Sequence, residues 1–439
     1  MPEGPPASGS ARPEDAPPPR PLRFCLLTTF YPPWSFGGDG IHVRQLAREL
    51  VARGHAVTVV HSPEAHRALA RRPLAPAQTD PGIRVVPIDA RAGVLSPLAT
   101  YLTGRPLLTR GQLARALDDE FDVLHFHNPS LLGGPDVLRM GSGLKIYTIH
   151  EQWLVCPTHV LWRYGREICD APRCLRCTLS YRRPPQPWRY GNLLPSALAG
   201  LDALLAPSRN TIRLHARYAT QVRIEHLQLF SPDDSANDLP PYQHHRPYFL
   251  YAGRLERIKA ADTLIEAFRR RRGQDLLIVG AGSEESKLRA AAAGLPNVHF
   301  LGWQEPASLG ALYRGALALL VSTQGYENFP LVVLEAFSRG VPVVAFRRGA
   351  LQEVAEDSGA VLLYGSDGEL DTALDCLVDD PRLRAELGSR GRAAFEQRWT
   401  ATAYLVRYLR LIAELAAHRG RVELAAAAAA WAERTGAAR

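Results

Sequence analysis

Two carboxylates, Glu327 and Glu335, stand with seven residues between them in the segment Tyr326-Glu-Asn-Phe-Pro-Leu-Val-Val-Leu-Glu-Ala-Phe337. An apolar run, Ala316-Leu-Ala-Leu-Leu-Val-Ser322, precedes them and reads as a strand. Pro330 suits the first turn of a helix, where a missing N–H costs nothing. Glu327 then sits in the loop at the helix mouth, and Glu335 more than a turn inside. The free N–H groups of that helix favour an anion in the same space. Two acceptors for sugar hydroxyls beside a phosphate cradle suit a nucleotide sugar. The same spacing occurs on ordinary solvated helices, so the surrounding motifs decide its meaning.

The segment Tyr251-Ala-Gly-Arg-Leu-Glu-Arg-Ile-Lys259 places Arg254 and Lys259 directly after a strand ending at Gly253. Strand C-termini in open α/β sheets form the ligand crevice. There Arg can hold a diphosphate as a planar fork and Lys as a point charge, although most cations of this chain read as solvated. Upstream, the loop Phe30-Tyr-Pro-Pro-Trp-Ser-Phe-Gly-Gly-Asp-Gly40 follows the first strand and feeds a helix. Gly37 and Gly38 permit positive φ and close backbone approach, and the helix start favours an anion; an ordinary turn would use the same glycines. His150, at the end of a strand, can bond sugar hydroxyls or a backbone carbonyl, while a lone histidine there is more often structural. Val279-Gly-Ala-Gly-Ser-Glu-Glu285 opens like a dinucleotide fingerprint, but Glu285 occupies the third glycine position. The next strand also lacks the acidic ribose ligand, so a nicotinamide site is a poor fit and a tight strand-to-helix turn facing a cleft is expected.

Cys156, Cys169, Cys174 and Cys177 follow with twelve, four and two intervening residues. Cys174-Leu-Arg-Cys177 has the spacing of a zinc knuckle, and four thiolates fit a closed tetrahedral site. Free thiols and a redox pair are the alternatives; an open catalytic zinc is disfavoured. Cys25 and Cys376 sit in apolar runs and read as core. Around the cluster, Trp153, Trp162, Tyr164, Tyr181 and Trp188 lie among six arginines in 151–188. Such a surface could stack on a sugar, dock on a membrane, or pack as a lid on the knuckle.

These groups need a scaffold, and the chain is long enough for two domains: 439 residues, 46% hydrophobic and 22% charged. Short apolar runs alternate with helical patterns twice over, which predicts two doubly wound α/β units. Strands are expected at 23–28, 56–61, 83–88, 123–127, 145–150, 203–206 and 222–225. A second series follows at 248–253, 276–280, 298–301, 316–321, 341–346 and 360–364. Helices are expected at 40–53, 367–378, 381–399 and 403–417, with the Ala-rich 422–438 as a loosely packed helix. The domain expectation is a disordered Pro/Ala-rich leader (1–21), a first domain (22–230) with an insertion at 151–188, a linker (231–247), a second domain (248–400) and C-terminal helices (401–439). No apolar run reaches the length of a membrane span, and the leader lacks the apolar centre of a signal peptide. A cytoplasmic protein is expected. The net charge of +8 favours phosphate-rich ligands or an anionic membrane face, as an arginine-heavy proteome also would; no nucleic-acid motif is present.

Taken together, the motifs resemble the family 4 glycosyltransferases of the GT-B fold, two Rossmann-like domains facing a central cleft. The likeness runs from about Leu22 to about Ala417 and is strongest from Tyr251 to Tyr364. It rests on Gly37-Gly38, on Gly253-Arg254-Leu255 with Lys259, on Gly280-Ala281-Gly282, on Glu327 and Glu335, and on Gly349, Gln352-Glu353-Val354 and Gly359. Ala260 stands where the family usually has glycine. The cysteine-bearing insertion is similar to one in a subset of the family.

The resemblance implies roles residue by residue. Arg254 and Lys259 neutralise the departing diphosphate, and Glu335 bonds the ribose. Glu327, with the backbone of Asn328, Phe329, Pro330 and Leu331, holds the sugar, and His150 bonds it from the opposite domain. Gly37, Gly38 and Gly282 border donor and acceptor. It further implies transfer with retained anomeric configuration and without metal, and a last helix (404–417) that crosses back to the first domain; the structural zinc expected at the cysteines rests on their spacing and not on the resemblance. A nucleotide sugar is the implied donor and a glycan or lipid-linked precursor of cell-surface polysaccharide the implied acceptor, with peripheral contact at the inner membrane face. Competing readings are a sugar-nucleotide 2-epimerase of the same architecture and a non-catalytic nucleotide-sugar binder.

Overall fold

The apolar runs at the sheet centres form strands because they are buried on both faces, as a parallel sheet covered by helices requires. In a computed structural model, residues 18–70, 80–216, 221–233, 235–237 and 239–437 are described. The first half contributes β1 (Arg23–Thr28), β2 (Ala56–His61), β3 (Ile83–Pro87), β4 (Val123–Asn128) and β5 (Leu144–Thr148). A two-residue antiparallel hairpin, β6 (Trp162–Arg163) and β7 (Glu167–Ile168), lies in the insertion, and β8 (Ala203–Ala206) and β9 (Ile224–His226) return to the sheet. The second half contributes β10 (Tyr248–Ala252), β11 (Asp275–Val279), β12 (Val298–Gly302), β13 (Leu319–Val321), β14 (Val343–Phe346) and β15 (Val361–Tyr364).

The seven-stranded sheet runs β3-β2-β1-β4-β5-β8-β9 and the six-stranded sheet β12-β11-β10-β13-β14-β15. In both, the order reverses beside the first strand, at β1/β4 and β10/β13, and such switch points hold ligands at the strand C-termini. Alternation along β1 sends Phe24 and Leu26 to one core, with Val43 and Leu46 of the helix Gly38–Ala52. Cys25 and Leu27 go to the opposite core with Phe126, Tyr147 and Trp153.

The chain leaves the second domain through Trp399, whose indole N–H donates to Gln228 Oε1 at 3.0 Å. Thr400 then caps the helix Ala401–His418 by accepting from Ala403 N at 3.2 Å. Tyr404, Leu405, Tyr408, Leu409 and Ile412 of that helix lie in the core of the first sheet.

Several elements differ from the sequence expectation. The Ala-rich tail helix, Val422–Ala437, is not loosely packed: Leu424, Ala427, Ala428, Trp431 and Ala432 are buried in the same core. Small residues let two helix backbones approach closely, so alanine supplies contact that a count of large apolar side chains overlooks. Most of the leader, 1–17, lies outside the described residues, but Arg20 is docked, with two hydrogen bonds to the Asp122 carboxylate, each 2.9 Å. Cys376 is exposed rather than core; the helix Asp367–Asp379 buries Leu370, Ala373, Leu374 and Leu377 on its other face. No described helix is long and apolar enough to cross a membrane.

Candidate active site

β10 ends at Ala252, and the loop after it carries Arg254 and then a 3-10 turn, Arg257–Lys259. The turn closes at Ala260, in left-handed backbone with φ 50° and ψ 42°. That conformation costs an alanine about 1 kcal/mol or more relative to glycine, and burial of the Ala260 methyl, 3% exposed, offsets a similar amount. Ala260→Gly is therefore expected to change stability by less than about 0.5 kcal/mol, while β-branched Ala260→Val is expected to cost about 2 kcal/mol. Chemical denaturation of both variants checks this; equal losses would remove the conformational argument.

Lys259 is fixed by its backbone, whose carbonyl accepts from Ser322 Oγ at 2.7 Å. Its ammonium pairs with the Glu327 carboxylate, which also accepts from Thr323 Oγ1 at 2.8 Å. Burial works to raise the Glu327 pKa, but Lys259 foremost, with Thr323 and Arg254, outweighs it and holds the carboxylate below its ordinary value. Arg254 remains half exposed and pairs with Glu256 at 2.7 Å.

The helix Leu331–Phe337 is two turns long and follows Pro330. Glu335 lies one turn past Leu331, and its carboxylate accepts from Tyr313 Oη at 3.0 Å. It is not on the wall of the adjoining cavity, which is formed by Phe329, Pro330, Leu331 and Val332. Gly282 is also off that wall. A Cβ there would lie 2.2 Å from the Leu255 carbonyl oxygen, so the Gly280–Gly282 turn backs the Arg254 loop and does not face the cleft.

From the first half, Gly37 and Gly38 reach the cleft without the expected positive φ: Gly37 is extended at φ −160°. The helix begins at Gly38, two residues earlier than its apolar pattern, and Gly38 serves close approach, since a Cβ there would meet Leu331 Cδ1 at 3.2 Å. His150 stands two residues past β5, with Nε2 2.9 Å from His127 Nδ1. Burial lowers its pKa to about 4, against a smaller opposing effect of Glu151, so the imidazole is neutral near pH 7. His42, 5.3 Å from His150 between ring centres, and His125, hydrogen-bonded to Thr148 and Tyr408, extend this buried group.

Two cavities meet at Gly37, Gly38, Asp39, His150 and Arg254. One, of about 290 Å³, also contains Lys259, Glu327, Asn328 and Phe329. The other, of about 500 Å³, lies in the first half between Phe36, Leu98 and Tyr101 on one side and Glu151, Arg182 and Arg183 on the other.

Two acids there lacked a spacing signal in the sequence. Asp39, which accepts from Asn128 Nδ2 at 2.9 Å, is pushed above the ordinary carboxylate range by burial, with Glu151 adding to the effect. Burial opposes ionisation of Glu151 too, but His159, 2.9 Å away, outweighs it, and Glu151 stays below its ordinary value.

The halves are tied across the cleft. Gln152 Nε2 donates to Asn328 Oδ1, and Asn328 Nδ2 donates to the Ile149 carbonyl at 3.3 Å. Buried Glu353 accepts from the backbone N–H groups of Arg209 and Asn210 at 2.7 and 2.6 Å. In the insertion, Trp153 and Trp188 are buried in a core of the first domain and Trp162 beside the cysteines, so these rings are not a stacking surface.

Comparison with known proteins agrees with this architecture. Residues 36–228 match the family model described as Glycosyltransferase Family 4, and residues 239–394 match Glycosyl transferases group 1. A phosphatidyl-myo-inositol mannosyltransferase of Mycobacterium leprae is 27% identical over 396 residues, covering 84% of this chain and 92% of that protein. A D-inositol 3-phosphate glycosyltransferase of Acidothermus cellulolyticus is 28% identical, covering 83% and 82%. Among solved structures, sucrose-phosphate synthase from Thermosynechococcus elongatus superposes with a TM-score of 0.70 at 19% identity, over 90% of this chain and 100% of that one.

Proposed function

Since the chain belongs to the family 4 glycosyltransferases and has their GT-B fold, we propose that it moves a sugar, with retained anomeric configuration, from a nucleotide-diphosphate donor to a lipid-linked or cell-surface glycan precursor. The observation that carries this reading is the meeting of two cavities at Asp39, His150 and Arg254. Transfer needs two ligands whose reacting atoms meet in one place, and a binder of one ligand needs a single cavity.

In this reading the donor takes the cavity that contains Lys259 and Glu327. Arg254 and Lys259 stabilise the charge that develops on the leaving diphosphate. Glu335, oriented by the Tyr313 hydroxyl, turns toward the ribose as donor enters. Glu327 and the backbone of residues 328–331 hold the sugar, and neutral His150 bonds it from the other half. The leaving phosphate accepts the proton of the acceptor hydroxyl. The acceptor takes the larger cavity, where Asp39 and Glu151 accept from hydroxyls and Arg182 and Arg183 meet phosphate. Its apolar rim continues onto exposed Leu95, Leu98 and Leu102 of the helix Leu95–Thr103, which suits an acceptor presented at a membrane surface. The inositol-lipid mannosyltransferases among the relatives support an acceptor of that kind.

A thermal-shift panel of UDP-, GDP-, ADP- and TDP-sugars tests the donor half. One nucleotide class is expected to raise the melting temperature, by an amount equivalent to about 2.7 kcal/mol at a hundredfold excess over Kd, and Glu335→Ala is expected to abolish the shift. With that donor and anionic vesicles bearing a lipid-linked saccharide, NMR of the product should show the donor's anomeric configuration. No shift with any donor, or conversion of the donor sugar without acceptor, would overturn the reading.

A further inference from the structure

Four thiols beside the cleft have no part in the transfer chemistry. Cys156 follows the 3-10 turn Gln152–Leu154, Cys169 follows β7, and Cys174 and Cys177 lie one turn apart on the helix Cys174–Ser180. All four line one small cavity of about 20 Å³, and none is in a disulfide. That space fits a single ion, since even one water needs about 10–15 Å³. The Tyr164 N–H donates to Cys177 Sγ at 3.4 Å, and Thr158 Oγ1 lies 3.2 Å from Cys156 Sγ.

The backbone carries an independent sign. His159, Leu161, Tyr164 and Arg182, none of them glycine, hold positive φ of 72°, 48°, 54° and 55°. Each costs about 1 kcal/mol or more, and such strain persists only where the surroundings over-determine it. The regular structure here is one hairpin of two-residue strands and one seven-residue helix. So little hydrogen-bonded framework calls for a cross-link.

We propose that Cys156, Cys169, Cys174 and Cys177 bind one structural zinc ion, and that this ion holds the insertion as the wall of the acceptor cavity. The thiols release their protons to solvent as they ligate. No three of the sulfurs lie within 4.8 Å of one another, whereas Zn–S bonds of about 2.3 Å set sulfurs about 3.8 Å apart; ligation therefore draws the cysteine loops inward. The connection to the cleft is short. Cys156 N donates to the Gln152 carbonyl at 2.8 Å, Gln152 N donates to the His159 carbonyl at 3.0 Å, and the Gln152 amide crosses the cleft to Asn328. His159 also holds Glu151. This second part, the effect on the acceptor, rests on the proposed transfer; the ion itself does not.

The test uses the full chain, purified without a metal-affinity tag or added metal. Mass spectrometry of the metal content is expected to find about one zinc per chain. Mercurial titration should release it as four thiols react, with a zinc-binding dye as readout. Cys174→Ser/Cys177→Ser is expected to retain less than about a tenth of the zinc and to raise the acceptor KM at least about tenfold while keeping the donor-induced thermal shift.

His244→Ala/His245→Ala removes the other described donor group, which converges on buried Asp275, and is expected to keep its zinc. Zinc below about a tenth per chain in the unmodified protein, thiols that react without releasing metal, or metal lost from the histidine variant and kept in the cysteine variant would each overturn the proposal. If the cysteine variant does not fold, the titration of the unmodified protein still decides. A failed transfer assay leaves the metal measurement untouched.

Discussion

Replacing Lys259 with alanine is expected to lower kcat by about a hundred- to a thousandfold, with a much smaller change in donor affinity. The ammonium is pre-positioned, because the Lys259 carbonyl is held by Ser322 and the side chain by Glu327. A charge fixed before the reaction stabilises a leaving diphosphate without reorganising, and it acts most strongly where charge develops. Lys259→Ala also leaves Glu327 buried without its main counter-charge, so burial then raises the carboxyl pKa. The residual activity should therefore lose its low-pH limb at a higher pH than the unmodified enzyme does. Lys259→Met/Glu327→Gln separates the effects: it removes the unpaired charge, so stability should return while kcat stays low. A kcat within about threefold of the original in Lys259→Ala would place the ammonium away from the reacting phosphate.

A steep loss of stability below pH 6.5 is the second large effect. His42, His55, His61, His125, His127 and His215 are each 4% exposed or less. Burial is the main cause lowering the pKa of each, and of His150. For His55, His61, His150 and His215 the value falls to about 4. These rings are neutral in the folded state and protonate near pH 6.5 once unfolded. Unfolding then takes up protons, so stability is unaffected above pH 6.5 and falls from there down to about pH 4.

Each fully titrating histidine contributes about 1.4 kcal/mol per pH unit. Four acting together would remove about 5 kcal/mol per unit, much of the stability of an ordinary domain. Denaturant midpoints at pH 7.5, 6.5, 5.5 and 5.0, with proton uptake measured by calorimetry in two buffers, check this. A flat profile down to pH 5 would overturn it. His42, whose ring nitrogens have no hydrogen-bond partner among the described residues, provides a control: His42→Phe should make the slope shallower by about 1 kcal/mol per unit.

The sequence reveals the sheets more readily than the cleft, for a physical reason. Parallel strands covered on both faces favour continuous apolar runs, and β8 and β10 are such runs, buried at every residue. Such runs can be read in one dimension. Lys259 and Glu327 are legible because each lies in the loop that follows its own strand. Asp39 and Glu151 carry no comparable spacing. Their environment is set by Asn128 and His159, which reach them only when the chain folds. The ties between halves, Gln152 to Asn328 and Glu353 to the N-terminus of the helix Arg209–His215, join segments more than 140 residues apart and leave no periodic trace. Gly282 shows the reverse case: a glycine pattern is visible, but its reason is packing against Leu255.

The core of the first sheet is completed by side chains from 404–432, and Trp431 donates its indole N–H to the Arg20 carbonyl at 2.9 Å. This arrangement bears on the order in which the protein can mature on a ribosome. Domains of most proteins fold as they emerge, the N-terminal one first. Here the part of one face of the earliest-made sheet that the helix Gly38–Ala52 leaves uncovered stays bare until residues beyond 400 have left the exit tunnel, several hundred peptide bonds later. The second domain, whose cores draw on residues 229–399, can close before it. A nascent chain stalled ahead of residue 400 thus exposes an apolar wall that only chaperones or aggregation partners can cover.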